Sequence, residues 1–118
     1  MEKLERLFTP EDLKEAHPDT LAILNQLPWD FIPVEGALFC NTWVSKEKMP
    51  NGYPAGTAIL AMYCERPFSA SCFHRLDYDE VWHFYSGDPL RLFLLHPNGK
   101  TEVVVMGSDV LAGQQVQY

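Results

Sequence analysis

The segment from His74 to Pro89 combines a histidine, a carboxylate and large aromatic side chains at spacings that suit chemistry on a strand. Side chains two residues apart on a strand share a face, so a strand over Glu80–Ser86 places Glu80, Trp82 and Phe84 on one side. An unpaired carboxylate is costly inside a dry apolar core. This face is therefore predicted to line a cavity that holds something polar.

His74 and Glu80 are the predicted catalytic pair. Histidine titrates near neutral pH, and an imidazole beside a carboxylate suits general-base chemistry. One alternative is a buried, hydrogen-bonded pair that only joins two strands. Another is a metal site with His74 and Glu80 as ligands, although zinc, iron and manganese sites usually need at least three protein ligands. The prediction is a pair that contacts a ligand without a metal.

Six further residues are predicted to contact the ligand. Trp82 and Phe84 would stack on a flat or sugar-like molecule, the alternative being ordinary core packing. Glutamine amides orient ligands well, and a polar pair in an apolar strand can face a pocket or reach solvent. The four polar candidates are Glu35, Thr42, Gln115 and Gln117. His83 and Tyr85 should face away from the cavity and pack against the N-terminal helices or a partner subunit.

Two short helices are predicted at about residues 10–27. Thr9-Pro10-Glu11-Asp12 supplies a capping side chain, a proline suited to a first turn and acids that favour a helix N-terminus. A second helix should begin near Pro18 and end before Pro28.

From about residue 32 the hydrophobic period becomes strand-like, which predicts a β-barrel over about 32–118. Many short strands with no helix between them indicate an antiparallel barrel or sandwich within a single domain, 1–118. The predicted strands are Ala37–Ser45, Thr57–Cys64, Phe68–Phe73, Glu80–Ser86, Leu90–His96 and Thr101–Met106.

Composition limits the partners. The 118 residues carry a formal net charge of −7, which argues against nucleic acid and anionic membranes because both attract clustered lysine and arginine. Three cysteines form no CxxC pair, and no signal peptide is visible, so free thiols and a cytoplasmic location are expected.

The spacing His74-x-Leu76-x3-Glu80-x6-Gly87 resembles the first motif of the cupin superfamily. The string HRLDYDEVWHFYSGDPLRLFLLHPNGK resembles one group within it, the small RmlC-like cupins (DUF985, Cupin_5-like). Upstream, Glu35-Gly36 followed by Asn41-Thr42-Trp43 resembles a strand of that group. Downstream, Gly107-x-Asp109 and Gly113-Gln114-Gln115-x-Gln117 resemble its next hairpin, so the likeness covers about residues 20–118. The resemblance implies an all-β, cupin-type antiparallel β-barrel or jelly roll preceded by one or two short helices.

Two departures accompany the resemblance. Leu76 occupies the place of the second histidine ligand of metal-binding cupins. Gly113 fits the start of the second cupin motif, and the chain stops at Tyr118 where a proline would follow. We therefore expect either a chain truncated before that motif is complete or a barrel that is completed in an unusual way.

The expected function is binding of a small polar, sugar-like or organic acid molecule in the barrel mouth. Similarity to sugar-epimerase cupins implies an epimerase or isomerase in which His74 is the base, Glu80 orients it and Trp82 stacks on the substrate. The alternatives are a metal-dependent oxygenase or isomerase, and a non-catalytic binding or scaffold protein. The resemblance also implies a homodimer.

Overall fold

The computed structural model describes residues 4–118, which begin with the two predicted helices. Helix α1 spans Pro10–Glu15 and α2 spans Pro18–Gln26. A capping box begins α1: the Asp12 N–H donates to Thr9 Oγ1 at 3.2 Å, and the Thr9 N–H donates to Asp12 Oδ2 at 3.1 Å. His17 caps α2 by accepting the Asp19 N–H at Nδ1. The prediction of helices at about 10–27 is confirmed.

Three strands form an antiparallel sheet in the order β1-β2-β3. They are β1 (Asp30–Phe31), β2 (Leu38–Val44) and β3 (Thr57–Met62). Leu38 pairs with Met62, and the register shifts at a bulge between Asn41 and Trp43. The helices cover only one face of this sheet, so its other face lies open within this part of the chain.

A second antiparallel sheet pairs β4 (Leu90–Leu95) with β5 (Thr101–Met106), in a register that places Leu90 opposite Met106. A short 3-10 helix, Val110–Ala112, follows. Residues 82–84 and 116–118 are joined by backbone hydrogen bonds and by the isolated bridge between His83 and Gln117.

The strand predictions were right for four of six segments. Those near β2, β3, β4 and β5 are confirmed to within two residues at each end. Phe68–Phe73 is not a strand: a turn at 65–68 leads to a single bridge between Cys64 and Ser69. Glu80–Ser86 is extended but is not a regular strand, because its only backbone partner in the described residues is the short segment 116–118.

The main core lies between the helices and the three-stranded sheet. The buried side chains are Leu4, Phe8, Leu24, Trp29, Leu38 and Cys40, with Leu60 and Met62 packed against them. The edge-to-face rings of Phe8 and Phe31 have centroids 5.5 Å apart. Leu38 and Cys40 are two residues apart on β2, so they share one face of the strand, and both are buried in this core.

The chain divides into two compact units, one ending at His74 and one running from Arg75 to Tyr118. The ladders within residues 4–118 form two sheets and do not by themselves close a barrel. Neither of the helices described here has the length and apolar character needed to cross a bilayer.

Candidate functional site

The first unit places His74 beside Glu35. His74 Nε2 lies 3.6 Å from Glu35 Oε2, and the two side chains retain 22% and 21% of their exposure. The two side chains are thus partly shielded from water, although His74 as a whole residue is exposed. The interaction is at ion-pair distance, slightly beyond that of a direct hydrogen bond.

Cys72 connects the two residues through its backbone. Its N–H donates to the Glu35 carbonyl at 2.8 Å, and its own carbonyl lies 2.8 Å from His74 Nδ1. A carbonyl oxygen can only accept, so Nδ1 carries the proton in this contact. In the neutral ring, Nε2 then holds the free lone pair, and this is the atom that faces Glu35.

Glu35 reaches His74 from the turn between β1 and β2. Ile32 and Ala37 close this turn, with the Ile32 N–H donating to the Ala37 carbonyl at 2.8 Å. Glu35 therefore lies in a loop, whereas the resemblance implied that it lies on a strand. It nevertheless belongs to the set of ligand-contacting residues predicted from the sequence.

Glu80 has a different partner. Its Oε2 accepts the indole N–H of Trp82 at 2.8 Å, within the second unit. Trp82 and Phe84 are half-buried, whereas Val81 and Tyr85 are exposed, which is the two-residue alternation expected of this segment. Glu80 therefore shares a side with Trp82, as predicted. The predicted pairing of His74 with Glu80 joins residues of the two units and stays a prediction.

Gln117 lies on the other side of this segment from Trp82. Its Nε2 is 3.3 Å from His83 Nδ1, and the nearly parallel rings of His83 and Tyr85 have centroids 6.4 Å apart. Gln115 bonds through its backbone to β5, where its N–H donates to the Val105 carbonyl at 2.9 Å. Gln117 therefore lies on the same side of the paired segments as His83, and Trp82 lies on the opposite side.

Thr42 lies at the bulge in β2. Its hydroxyl donates to the Ala58 carbonyl at 3.1 Å across the register shift. The side chain thus satisfies a carbonyl of the neighbouring strand, and a role in ligand contact stays a prediction.

A second His–Glu pair, His96 with Glu102, was not among the sequence predictions. Glu102 accepts from His96 Nε2 at 3.0 Å and from the Tyr118 hydroxyl at 3.1 Å. Desolvation, together with the hydrogen bond to the Glu102 carboxylate and its charge, raises the pKa of Tyr118 above its usual value. His96 and Glu102 keep 40% and 44% of their exposure, so this pair is wetter than His74–Glu35. It offers a natural comparison for experiments.

Zinc, iron and manganese sites usually need at least three protein donors. Among residues 4–118 no three His, Cys, Asp or Glu side chains converge closely enough to hold an ion. His74 and Glu35 supply two donors, and Leu76 has none to offer. These residues therefore do not fit a metal ion.

A family model described as the cupin superfamily family Cupin_5 (DUF985) matches residues 23–118. The chain therefore belongs to the cupin superfamily, and its antiparallel sheets and few helices agree with the β-rich cupin class. Among curated proteins no significant match was found. Among solved structures there was likewise none.

Proposed function

We propose that this cupin binds a small polar molecule at the His74–Glu35 pair. The observation that carries the proposal is the orientation of His74: Nδ1 is bound to the Cys72 carbonyl, so Nε2 faces Glu35. A ligand hydroxyl or carboxylate can hydrogen-bond to a ring held in this way. Sugars and small organic acids carry these groups, and they are the ligand class we propose.

The same geometry supports proton transfer by an epimerase or isomerase. His74 Nε2 would take a proton from carbon next to a ligand carbonyl, leaving the electron pair as an enolate. The ring would become an imidazolium, stabilised by the Glu35 carboxylate and by the bond from Nδ1–H to Cys72. Return of the proton from Nε2 to the neighbouring carbon of the enediolate completes an isomerisation, whereas epimerisation needs a second acid, such as water, to protonate the opposite face. In this scheme Glu35 has the orienting role that the sequence suggested for Glu80.

The test is a thermal-shift screen of monosaccharides, nucleotide sugars and small organic acids, with each hit confirmed by calorimetry. We expect His74→Gln to weaken binding of a hit by about tenfold to a hundredfold, because it removes a hydrogen bond to a chargeable group. His96→Gln is the matched control, since it alters the comparable pair with Glu102, and should leave affinity within about twofold. Unchanged affinity in His74→Gln would rule out this site.

Turnover is tested separately. A hit with an exchangeable C–H next to a carbonyl should incorporate deuterium when incubated with the protein in D₂O, and His74→Gln should abolish the exchange. A hit that binds tightly but never exchanges would make the protein a binding module.

We also propose the cupin jelly roll as the complete architecture, a homodimer as the assembly and the cytoplasm as the location. Antiparallel pairing throughout supports the first, and the unpaired outer edge of β3 within the described residues supports the second. Free Cys40, Cys64 and Cys72 support the third. Crystallography, light scattering of the eluted protein and a fluorescent fusion would test them in turn.

A further inference from the structure

The turn that carries Glu35 has a backbone conformation that β-branched residues rarely adopt. Val34 has φ 72°, in the left-handed region, and the Glu35 N–H donates to the Pro33 carbonyl at 2.9 Å. A hydrogen bond from residue i+2 back to residue i around a positive φ defines the rare, strained form of the γ-turn. A valine at such a position is an outlier that needs an explanation.

The Val34 side chain does not supply that explanation. It is 97% exposed, so it gains almost nothing from packing. The conformation is imposed by the surrounding backbone: the Gly36 N–H donates to the Ile32 carbonyl at 2.9 Å, and the Ile32 N–H donates to the Ala37 carbonyl at 2.8 Å. Strain of this kind persists where the surrounding structure over-determines it, and such positions cluster at ligand sites.

The turn is connected to the candidate site by a closed circuit of contacts. The Cys72 N–H donates to the Glu35 carbonyl, and the Cys72 carbonyl accepts from His74 Nδ1, both at 2.8 Å. The circuit closes where the Glu35 carboxylate meets His74 Nε2 at 3.6 Å. Because the backbone of Cys72 holds both partners, the position of the Glu35 backbone sets where its carboxylate lies.

We propose that the γ-turn at residue 34 is a positioning element: its positive φ holds Glu35 with the carboxylate directed at His74 Nε2. The consequence for ligand binding rests on the proposed function, but the positioning itself can be measured without a ligand. The turn thus contributes to the geometry of the site and also connects β1 to β2.

The experiment compares two substitutions that differ in the φ they allow. Val34→Pro forces φ to a negative value near −65° and so abolishes the γ-turn, whereas Val34→Gly accepts the positive φ without strain. In the described part of the chain the Val34 N–H donates to no backbone carbonyl, so proline removes no such bond there. Glu35→Gln serves as the reference for a lost carboxylate.

The readout is the long-range ¹H–¹⁵N NMR spectrum of the His74 ring. We expect Val34→Pro to move the Nε2 and Cε1–H resonances to the positions seen in Glu35→Gln, and Val34→Gly to leave them at the wild-type positions. Wild-type resonances in Val34→Pro, with Glu35→Gln displaced, would overturn the proposal. So would identical spectra of Glu35→Gln and wild type, because the pair would then not exist.

If Val34→Pro does not fold, the double variant Pro33→Gly/Val34→Gly replaces it, since two glycines leave the turn without a fixed φ. We expect it to displace or broaden the His74 resonances, and sharp wild-type resonances would overturn the proposal. Failure of the proposed function is distinguishable: in that case His74→Gln leaves binding of every screen hit unchanged, while the NMR comparison still decides whether the turn at residue 34 positions Glu35.

Discussion

At the scale of single residues, the partner of His74 illustrates what a sequence pattern can reveal. The alternation of Trp82 and Phe84 with exposed neighbours was predictable, because facing on an extended segment is a local property. The contact of His74 with Glu35 was not, because it depends on a γ-turn at Val34 and on the backbone of Cys72. Almost any residue type can make a backbone hydrogen bond, so residue types do not predict such bonds. Both members were nevertheless among the candidate site residues, His74 because of its spacing from Glu80 and Glu35 because it is polar in a segment that resembles a strand of the family.

The strain at Val34 leads to a stability prediction. A non-glycine residue in the left-handed region costs about 1–2 kcal/mol, and glycine loses roughly half of that gain to its greater freedom in the unfolded chain. We therefore expect Val34→Gly to raise the free energy of unfolding by about 0.5–1 kcal/mol, measured by urea denaturation. Val34→Ala is the control: it keeps most of the backbone penalty and should gain less. A Val34→Gly protein less stable than Val34→Ala would show that the turn is not strained.

At the scale of elements, Ser69 explains why the predicted strand Phe68–Phe73 does not form. Its hydroxyl donates to the Met62 carbonyl at 2.6 Å and accepts the Leu38 N–H at 2.9 Å, so it joins β2 to β3 from a buried position. The segment is therefore fixed to the sheet by one side chain in place of a ladder. Helices α1 and α2 were predictable because their caps are local, and β2 to β5 because each alternates or is continuously apolar.

Ser69→Ala is expected to destabilise the first unit strongly. It leaves a buried N–H and a buried carbonyl without this partner, which costs about 2–4 kcal/mol in the free energy of unfolding. Ser71→Ala provides the matched control, because the Ser71 hydroxyl bonds to the part-buried Tyr63 hydroxyl at 3.2 Å, and its loss should cost less than about 1 kcal/mol. Chemical denaturation of the two variants would measure the difference. Equal losses would mean that water replaces the Ser69 hydroxyl.

The N-terminus of α1 should respond to acid through Asp12. Hydrogen bonds from the Thr9 hydroxyl and backbone lower the pKa of Asp12 below its ordinary value of 3.8. A depressed folded-state pKa stabilises above the unfolded value, and this contribution is lost as pH falls through the folded one. Asp12→Asn should thus increase amide exchange at Thr9 at neutral pH, and the difference from wild type should shrink only below about pH 4. Exchange measured by NMR at several pH values checks this, with Asp19→Asn as the control. A difference that does not depend on pH would contradict it.

At the scale of the whole molecule, the second unit buries too few apolar side chains to be stable by itself. Its buried apolar side chains are Val104 and Met106, while Phe93, Leu95 and Val103 remain more than half exposed. Two-stranded hairpins are marginal in water unless a further apolar surface covers them. The unit therefore has little stability of its own, and the single domain and the homodimer remain proposals.

We expect the chain to unfold in one cooperative transition whose Tm rises with protein concentration. A unit with so small a core has little stability of its own, so we expect it to melt together with the rest of the chain. Association of two copies stabilises the folded state by mass action, which makes Tm depend on concentration. Calorimetry over a hundredfold range of concentration measures both effects, and amide exchange at Leu38 and Val104 follows the units separately. Two resolved transitions, or early exchange at Val104 alone, would divide the chain into two domains. A Tm independent of concentration would instead favour a monomer whose second unit is stabilised within the same chain.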